Sequence, residues 1–361
     1  MEPLKEMFNA TYYRQLAAAF DKVYKGFRSK AFLKEVTDNL ESRELNERLR
    51  NTSVILKNYL PDDFEKATGI LKEVAPLMKA GYTALVFPDY IAQYGRKNFK
   101  TSIEALKYFT VFGSSEFAIR EFLRLDLMST LKIMEKWAHD VNHHVRRLAS
   151  EGSRPRLPWS FRLDEIVRNP SLTKNILSTL RSDDHLYVRK SVANHLNDIS
   201  KDHPDYMLQL VGKWDLENPH TRWIVKHACR TLIKKGHRAT LQLFSVRHDV
   251  KASVTGVKLS SASISLGEVL EFSCQVTNKE SSAQRFVIDY AITYARPGKT
   301  SSRKVFKLKE LTFAPGASAV VSRRQLFRDF STRTHYPGKH QLEILLNGTS
   351  AGSKTFTLTK K

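Results

Sequence analysis

Asn142-His143-His144-Val145-Arg146-Arg147-Leu148-Ala149-Ser150-Glu151-Gly152-Ser153-Arg154-Pro155-Arg156-Leu157-Pro158-Trp159 is the stretch on which the reading of this chain turns. Asn142 carries a side chain suited to a helix N-cap. Val145, Leu148 and Ala149 follow at helical spacing, with Arg146 and Arg147 off that face, and Gly152 stops the helix. Beyond it Arg154 and Arg156 flank Pro155, and Pro158 stiffens the approach to Trp159. Neither arginine can enter a core unpaired. A rigid basic loop ending in a large aromatic suits a surface that meets an anion with flat groups, and nucleic acid fits that description. A proline-rich inter-helix loop, with solvated arginines and Trp159 as a core anchor, accounts for the same residues. These residues alone leave both readings open.

Charge narrows the field. Lys and Arg number 59 against 37 acidic residues in 361, a formal charge of +22. Such an excess favours polyanionic partners, of which nucleic acid leads over an anionic membrane. With 41% hydrophobic residues a proper core can form, in two domains or one large repeat array. No apolar run of about 18 residues is present to span a bilayer, and Met1-Glu2-Pro3-Leu4-Lys5-Glu6 lacks the regions of a signal peptide. Cys229 and Cys274 lie far apart in differently patterned halves, so the expectation is no disulfide, no Cys-based zinc site and a cytoplasmic location.

Residues 1 to about 112 read as successive helices. Asn9 or Thr11 can cap a segment carrying Leu16, Ala19, Phe20, Val23 and Phe27, and further helices run on to Gly95. No chemistry is evident in this third. From Thr101 the helices become shorter and more regular. Ser114 and Ser115 can cap a segment burying Ala118, Ile119 and Phe122, with Glu121 at the edge of that face. Units beginning at Val188 and Ile224 share a pattern at a spacing of 36 residues, within the range of helical-hairpin repeats. Such repeats stack into a solenoid with a concave face. Arg146, Arg147, Arg189, Lys190 and Lys226 fall beside the buried positions, so stacking would align them to hold phosphates. A solubilising basic face is the alternative.

Near Gly236 to Val246 the pattern changes to alternation. Leu270, Phe272, Cys274 and Val276 share one face; Phe286, Ile288, Tyr290, Ile292 and Tyr294 another; Leu342, Ile344 and Leu346 a third. Gly267, Pro297-Gly298, Pro315-Gly316, Pro337-Gly338 and Asn347-Gly348 mark turns between them. This predicts a β-sandwich of about 110 residues. The expected architecture is therefore mainly α, a helical-repeat solenoid over 1–240 followed by a small all-β sandwich over 245–361. Basic residues crowd the approach to the penultimate strand, among them Arg328 and Arg333. They suggest a second clamp on the same polyanion.

No Gly-rich phosphate loop, H-E-x-x-H site or G-x-S-x-G elbow occurs. Composition and periodicity stop at a nucleic-acid-binding helical-repeat protein. The stretches Ser114-Ser115-Glu116-Phe117-Ala118-Ile119-Arg120 and His144 through Trp159, however, resemble the signature stretches of AlkC-type DNA alkylation-repair glycosylases. The resemblance extends over residues 1 to about 240. The tail, with 327–333 and His335-Tyr336-Pro337-Gly338, resembles the immunoglobulin-like domain that some members carry. The resemblance implies a HEAT-like fold that encircles duplex DNA and removes 3-methyladenine and 3-methylcytosine without a deep base-flipping pocket.

Methylation at a ring nitrogen makes the base cationic, so it leaves with little protonation. The sugar becomes oxocarbenium-like, and a carboxylate can stabilise it and position a water. On this view no cofactor, metal or general acid is needed. Glu121 is the leading carboxylate, followed by Asp164, Glu116 and Glu151, and Trp159 is assigned to contact the lesion or its deoxyribose. Glu121 could instead pair with Arg124, Glu151 with Arg147, and Asp164 could simply start a helix. Arg120, Arg146, Arg147, Arg154, Arg156, Arg189, Lys190, Lys226, Arg328 and Arg333 are the expected DNA contacts. The partner would be alkylated duplex DNA, bound by a monomer without membrane contact. A non-enzymatic DNA binder, or a solenoid for acidic proteins, competes with this reading.

Overall fold

A computed structural model describes residues 3–244, 250–299, 301–330 and 334–360. The first helices are α1 (Ala10–Val23), α2 (Ser29–Thr37), α3 (Leu45–Leu56), α4 (Phe64–Val74), α5 (Val86–Tyr94) and α6 (Phe99–Phe109). Asn9, rather than Thr11, caps α1, its side chain accepting from Tyr12 N at 2.9 Å. The α1 face that repeats at 3.6 residues is buried, including Tyr13, Leu16, Ala17 and Phe20. Arg48 of α3 is fully buried, yet not as part of a polar face. Its guanidinium donates to the carbonyls of Lys5, Phe8 and Arg43, at and beside the short turns that precede α1 and α3.

The shorter helices follow as α7 (Ile119–Leu125), α8 (Leu127–Trp137), α9 (His143–Gly152), α10 (Asp164–Arg168), α11 (Lys174–Thr179), α12 (Leu186–Ile199), α13 (Pro204–Val211) and α14 (Pro219–Ala228). The repeat is sharpest between α9 and α12. Asn142 caps α9 and His185 caps α12, each accepting from the backbone two residues on. Arg146 Nη1 donates to the carbonyls of Asp140 and Val141, both at 3.0 Å. Arg189 does the same to Asp183 and Asp184, 43 residues further on, 146 to 189. Asp183 also receives Arg146 from the preceding repeat, at 2.6 Å, which ties one turn to the next.

The chain divides into two compact units, residues 1–203 with 213–228, and 204–212 with 229–361. The division therefore falls before α15 (Arg230–Lys234) and α16 (Arg238–Leu243), earlier than the 240–245 border that the change of pattern indicates. In the second unit, β1 (Ala252–Leu259), β3 (Val269–Asn278) and β6 (Ser318–Leu326) form one sheet in the order β1-β3-β6, whereas β2 (Ser263–Ser265), β8 (Thr349–Thr359), β7 (Gly338–Leu346), β4 (Gln284–Ala295) and β5 (Ser301–Phe313) form the other in that order. All pairs are antiparallel except β2 with β8. The three alternating faces read from the sequence all meet in the sandwich core.

One feature departs from simple alternation. The opposite face of β4 is buried too, at Val287, Asp289 and Ala291. Leu241 of α16 packs against Val287, with Ile233 and Phe244 beside them. The turn after α15 approaches the β7–β8 hairpin so closely that a Cβ on Gly348 would lie 2.1 Å from Gly236 Cα. Asn347 and Gly348 both take positive φ, as a two-residue hairpin loop requires.

Candidate active site

The end of α9 is packed too tightly for a side chain. A Cβ on Gly152 would sit 2.5 Å from Ile119 Cγ2 and 3.2 Å from Met134 Cε. This close approach carries the chain straight from α9 into the loop 153–163. The loop is not a solvated ribbon. Leu157 and Leu163 are buried, and Arg154 is buried with them, 7% exposed. Arg154 can enter because it is paired, with Glu151 at 2.6 Å and Asp198 of α12 at 2.8 Å.

These pairs belong to a longer chain of alternating charge. Arg147 bridges Glu116 and Glu151, the latter at 3.6 Å, and also donates to Ser114 Oγ at 2.9 Å. Lys201 closes the far end on Asp198 at 2.8 Å. Burial pushes the Glu151 carboxyl up, but Arg147 and Arg154 outweigh that and hold it below the ordinary glutamate range. The Arg147 guanidinium lies 4.7 Å from the Tyr187 ring centroid.

Trp159 stands at the tip of the loop, 71% exposed and with φ of 64°. Its ring meets Tyr82 edge to face at 6.5 Å. Tyr82 donates its hydroxyl to Asn46 Oδ1, and burial followed by the field of Glu116 raises its phenol pKa. Trp159 and Tyr82 are thus in contact, and the field of Glu116, which Arg147 links to Glu151, reaches Tyr82. An exposed aromatic ring can meet a flat cationic group with its face, and a nearby carboxylate field favours positive charge there.

Not every expected residue joins this group. Glu121, in the first turn of α7, is bound by Arg124 and by Arg96 at 3.1 Å, so the helix pairing weighed against it is present. Asp164 is exposed at the start of α10 and pairs with Arg162. The basic residues need larger correction. Arg120 cannot touch phosphate, being fully buried with Nη1 and Nη2 on backbone carbonyls. Arg154 is buried in ion pairs, and Arg147 and Arg146 are largely so. Arg189 is half-buried with Nη1 on the carbonyls before α12. Arg156 faces Asp202 bidentately, at 2.9 and 2.8 Å. Lys190 and Arg328 are exposed, Lys226 is half-buried, and Arg333 lies outside the described residues.

Tyr82, Tyr187 and Asp198 were not singled out from sequence. A lone tyrosine after Gly81 gives no local signal, whereas Asp198 with Lys201 at i+3 carries a weak one. His195 offers no general base. It is fully buried between Ser150 O and Thr173 Oγ1, and burial lowers its pKa to about 4. Among the described residues no group of three or more His, Cys, Asp or Glu side chains could hold a metal ion, and no helix is long and apolar enough to cross a membrane. Cys229 and Cys274 are buried free thiols.

Helical repeats and a sandwich of this kind match two known families. A model described as a DNA alkylation repair enzyme matches residues 97–232, and one described as the C-terminal Ig-like domain of the uncharacterised protein YhaZ matches 253–360. The class is a DNA alkylation-repair domain joined to an immunoglobulin-like domain. Uncharacterized protein YhaZ of Bacillus subtilis (strain 168) is 39% identical over 357 residues, 99% of each chain. The solved structure of Pseudomonas fluorescens alkylpurine DNA glycosylase AlkC, bound to DNA containing an abasic site analog, is 45% identical. It superposes with a TM-score of 0.96 over 99% of this chain and 100% of that one. The chain belongs to the AlkC-type DNA alkylation-repair glycosylases.

Proposed function

We propose that this chain excises cationic N-alkylated bases, 3-methyladenine and 3-methylcytosine, from duplex DNA as a monofunctional, monomeric glycosylase. The observation that carries this reading is the exposed Trp159 ring set against Tyr82, on a chain 45% identical to a glycosylase seen with an abasic-site analog. The C1′–N bond breaks with its electron pair leaving on the base, whose positive charge is thereby neutralised. The deoxyribose left behind is oxocarbenium-like. The indole face stabilises it, and a carboxylate adds its charge, orients water at C1′ and takes the water's proton.

Glu116 is the carboxylate best supported for that work, with Glu151 behind it on the same arginine. Glu121 is the next candidate, with two guanidiniums already on it. The site is an open surface by this reading, so the base need not enter a deep pocket. The immunoglobulin-like domain acts as a second clamp through exposed cations such as Arg328, and the protein works beside the nucleoid in the cytoplasm.

The test is single-turnover release of both bases from methylated duplex by the wild type, Glu116→Gln and Glu121→Gln. The reading expects release by the wild type and a hundredfold or greater slowing in Glu116→Gln, with affinity for abasic-analog duplex kept within threefold. Tight salt-sensitive binding without release would make this a DNA-binding relative that lacks the chemistry. Slowing in Glu121→Gln alone would move the catalytic role to that residue.

A further inference from the structure

Arg120 lies next to Glu121 but its side chain runs the other way, into the protein, where it is 0% exposed. Nη1 donates to the carbonyls of Gly152 at 3.0 Å and Arg154 at 2.6 Å, and Nη2 donates to that of Phe161. The first two carbonyls precede Trp159 and the third follows it, so one guanidinium grips both limbs of the loop. Phe161 is held further by its ring, with the Arg120 carbon 5.4 Å and the Arg124 carbon 4.8 Å from the centroid. Across the tip, Leu163 N donates to Pro155 O at 3.2 Å. The tip itself is a turn, closed by Ser160 N donating to Leu157 O at 3.3 Å. Pro158 and Trp159 are exposed, and Trp159 keeps a left-handed φ that a bulky residue adopts only where its surroundings enforce it.

We infer that Arg120 is a positioning residue for the excision reaction: it fixes the loop so that the Trp159 indole is already held out beside Tyr82 before DNA arrives. This rests on the role proposed for Trp159. A carbonyl-gripping guanidinium is suited to the task, because five planar donors fix the relative positions of backbone segments that have no secondary structure of their own. Placement of the ring before binding removes the cost of ordering it in the transition state.

The experiment uses full-length protein carrying 5-fluorotryptophan, with the Trp159 resonance assigned through Trp159→Phe. Trp137 and Trp214 are buried and Trp223 is half-buried, so the exposed Trp159 ring gives a separable signal. Arg120→Met is expected to shift or broaden that resonance and to slow single-turnover excision at least tenfold, with the Kd for undamaged duplex within threefold of wild type. Arg120→Lys, which keeps the charge and can reach fewer carbonyls, should fall between. It serves, with Phe161→Leu, if Arg120→Met does not fold. An unchanged Trp159 resonance in folded variants would overturn the inference, as would a moved resonance with wild-type excision. The Arg120→Met effect on rate should also vanish in a Trp159→Ala background. If Trp159→Ala itself excises normally, the role assigned to Trp159 has failed, and the resonance alone decides whether Arg120 holds the loop.

Discussion

Removing the charge of Glu151 would leave Arg147 and Arg154 buried without their shared partner, a loss of about 3–5 kcal/mol for a pair of this kind. Glu151→Gln is therefore expected to lower the urea midpoint sharply, and an unchanged midpoint would count against the ion-pair chain. Glu116 is more accessible, its side chain 15% exposed against 7% for Glu151. Its replacement should affect excision more than stability. The depressed Glu151 carboxyl also gives a pH signature. Its ionised form stabilises the fold at neutral pH, and that contribution is lost as pH falls below about 4, through the lowered folded value. Urea midpoints measured across that range should fall in the wild type and stay flatter in Glu151→Gln.

At the scale of elements, β4 buries a carboxylate on the same face that sets Val287 against α16. Asp289 is 2% exposed and its Oδ2 has no hydrogen-bond partner. Burial pushes its pKa up to about 6, against the opposing fields of Lys234 and Lys307. A carboxyl raised in the folded state gives stability that is full below the unfolded pKa and lost as pH rises through the folded one. Stability should therefore fall between about pH 4 and 6, by up to about 3 kcal/mol. Asp289→Asn should be the more stable protein at pH 7.5 and lose its advantage at pH 4, read by denaturant midpoints. A constant difference would sink the argument. The same strand shows what the sequence could and could not disclose. Phe286 to Tyr294 alternate, and that face was legible, but burial of Val287 and Asp289 depends on helices that the chain returns from elsewhere. Likewise Asn142, Gly152 and the helical spacing of α9 were legible because they act locally. The fate of the arginines was not, because Arg146, Arg154 and Arg156 find carboxylates 37, 44 and 46 residues away, in α12 and the turns on either side of it.

Over the whole molecule, the charge of +22 overstates the cations available to DNA, since several arginines are committed to internal pairs. Salt dependence separates the two groups. Lys190→Gln should reduce the slope of log Kd against log salt by about one, as the loss of a phosphate contact does. Arg154→Gln should leave that slope unchanged and lower the melting temperature instead. The opposite pattern would return Arg154 to the DNA surface.

Trp159 carries a consequence for how such a protein responds to selection. Its backbone sits where glycine is at ease, and its ring covers little of the core. Exchange to glycine would relieve backbone strain of order 1 kcal/mol at small loss of packing. A screen for heat tolerance alone should therefore accept Trp159→Gly readily, and a screen for survival of alkylation damage should reject it. Stability and repair pull in opposite directions at this one position.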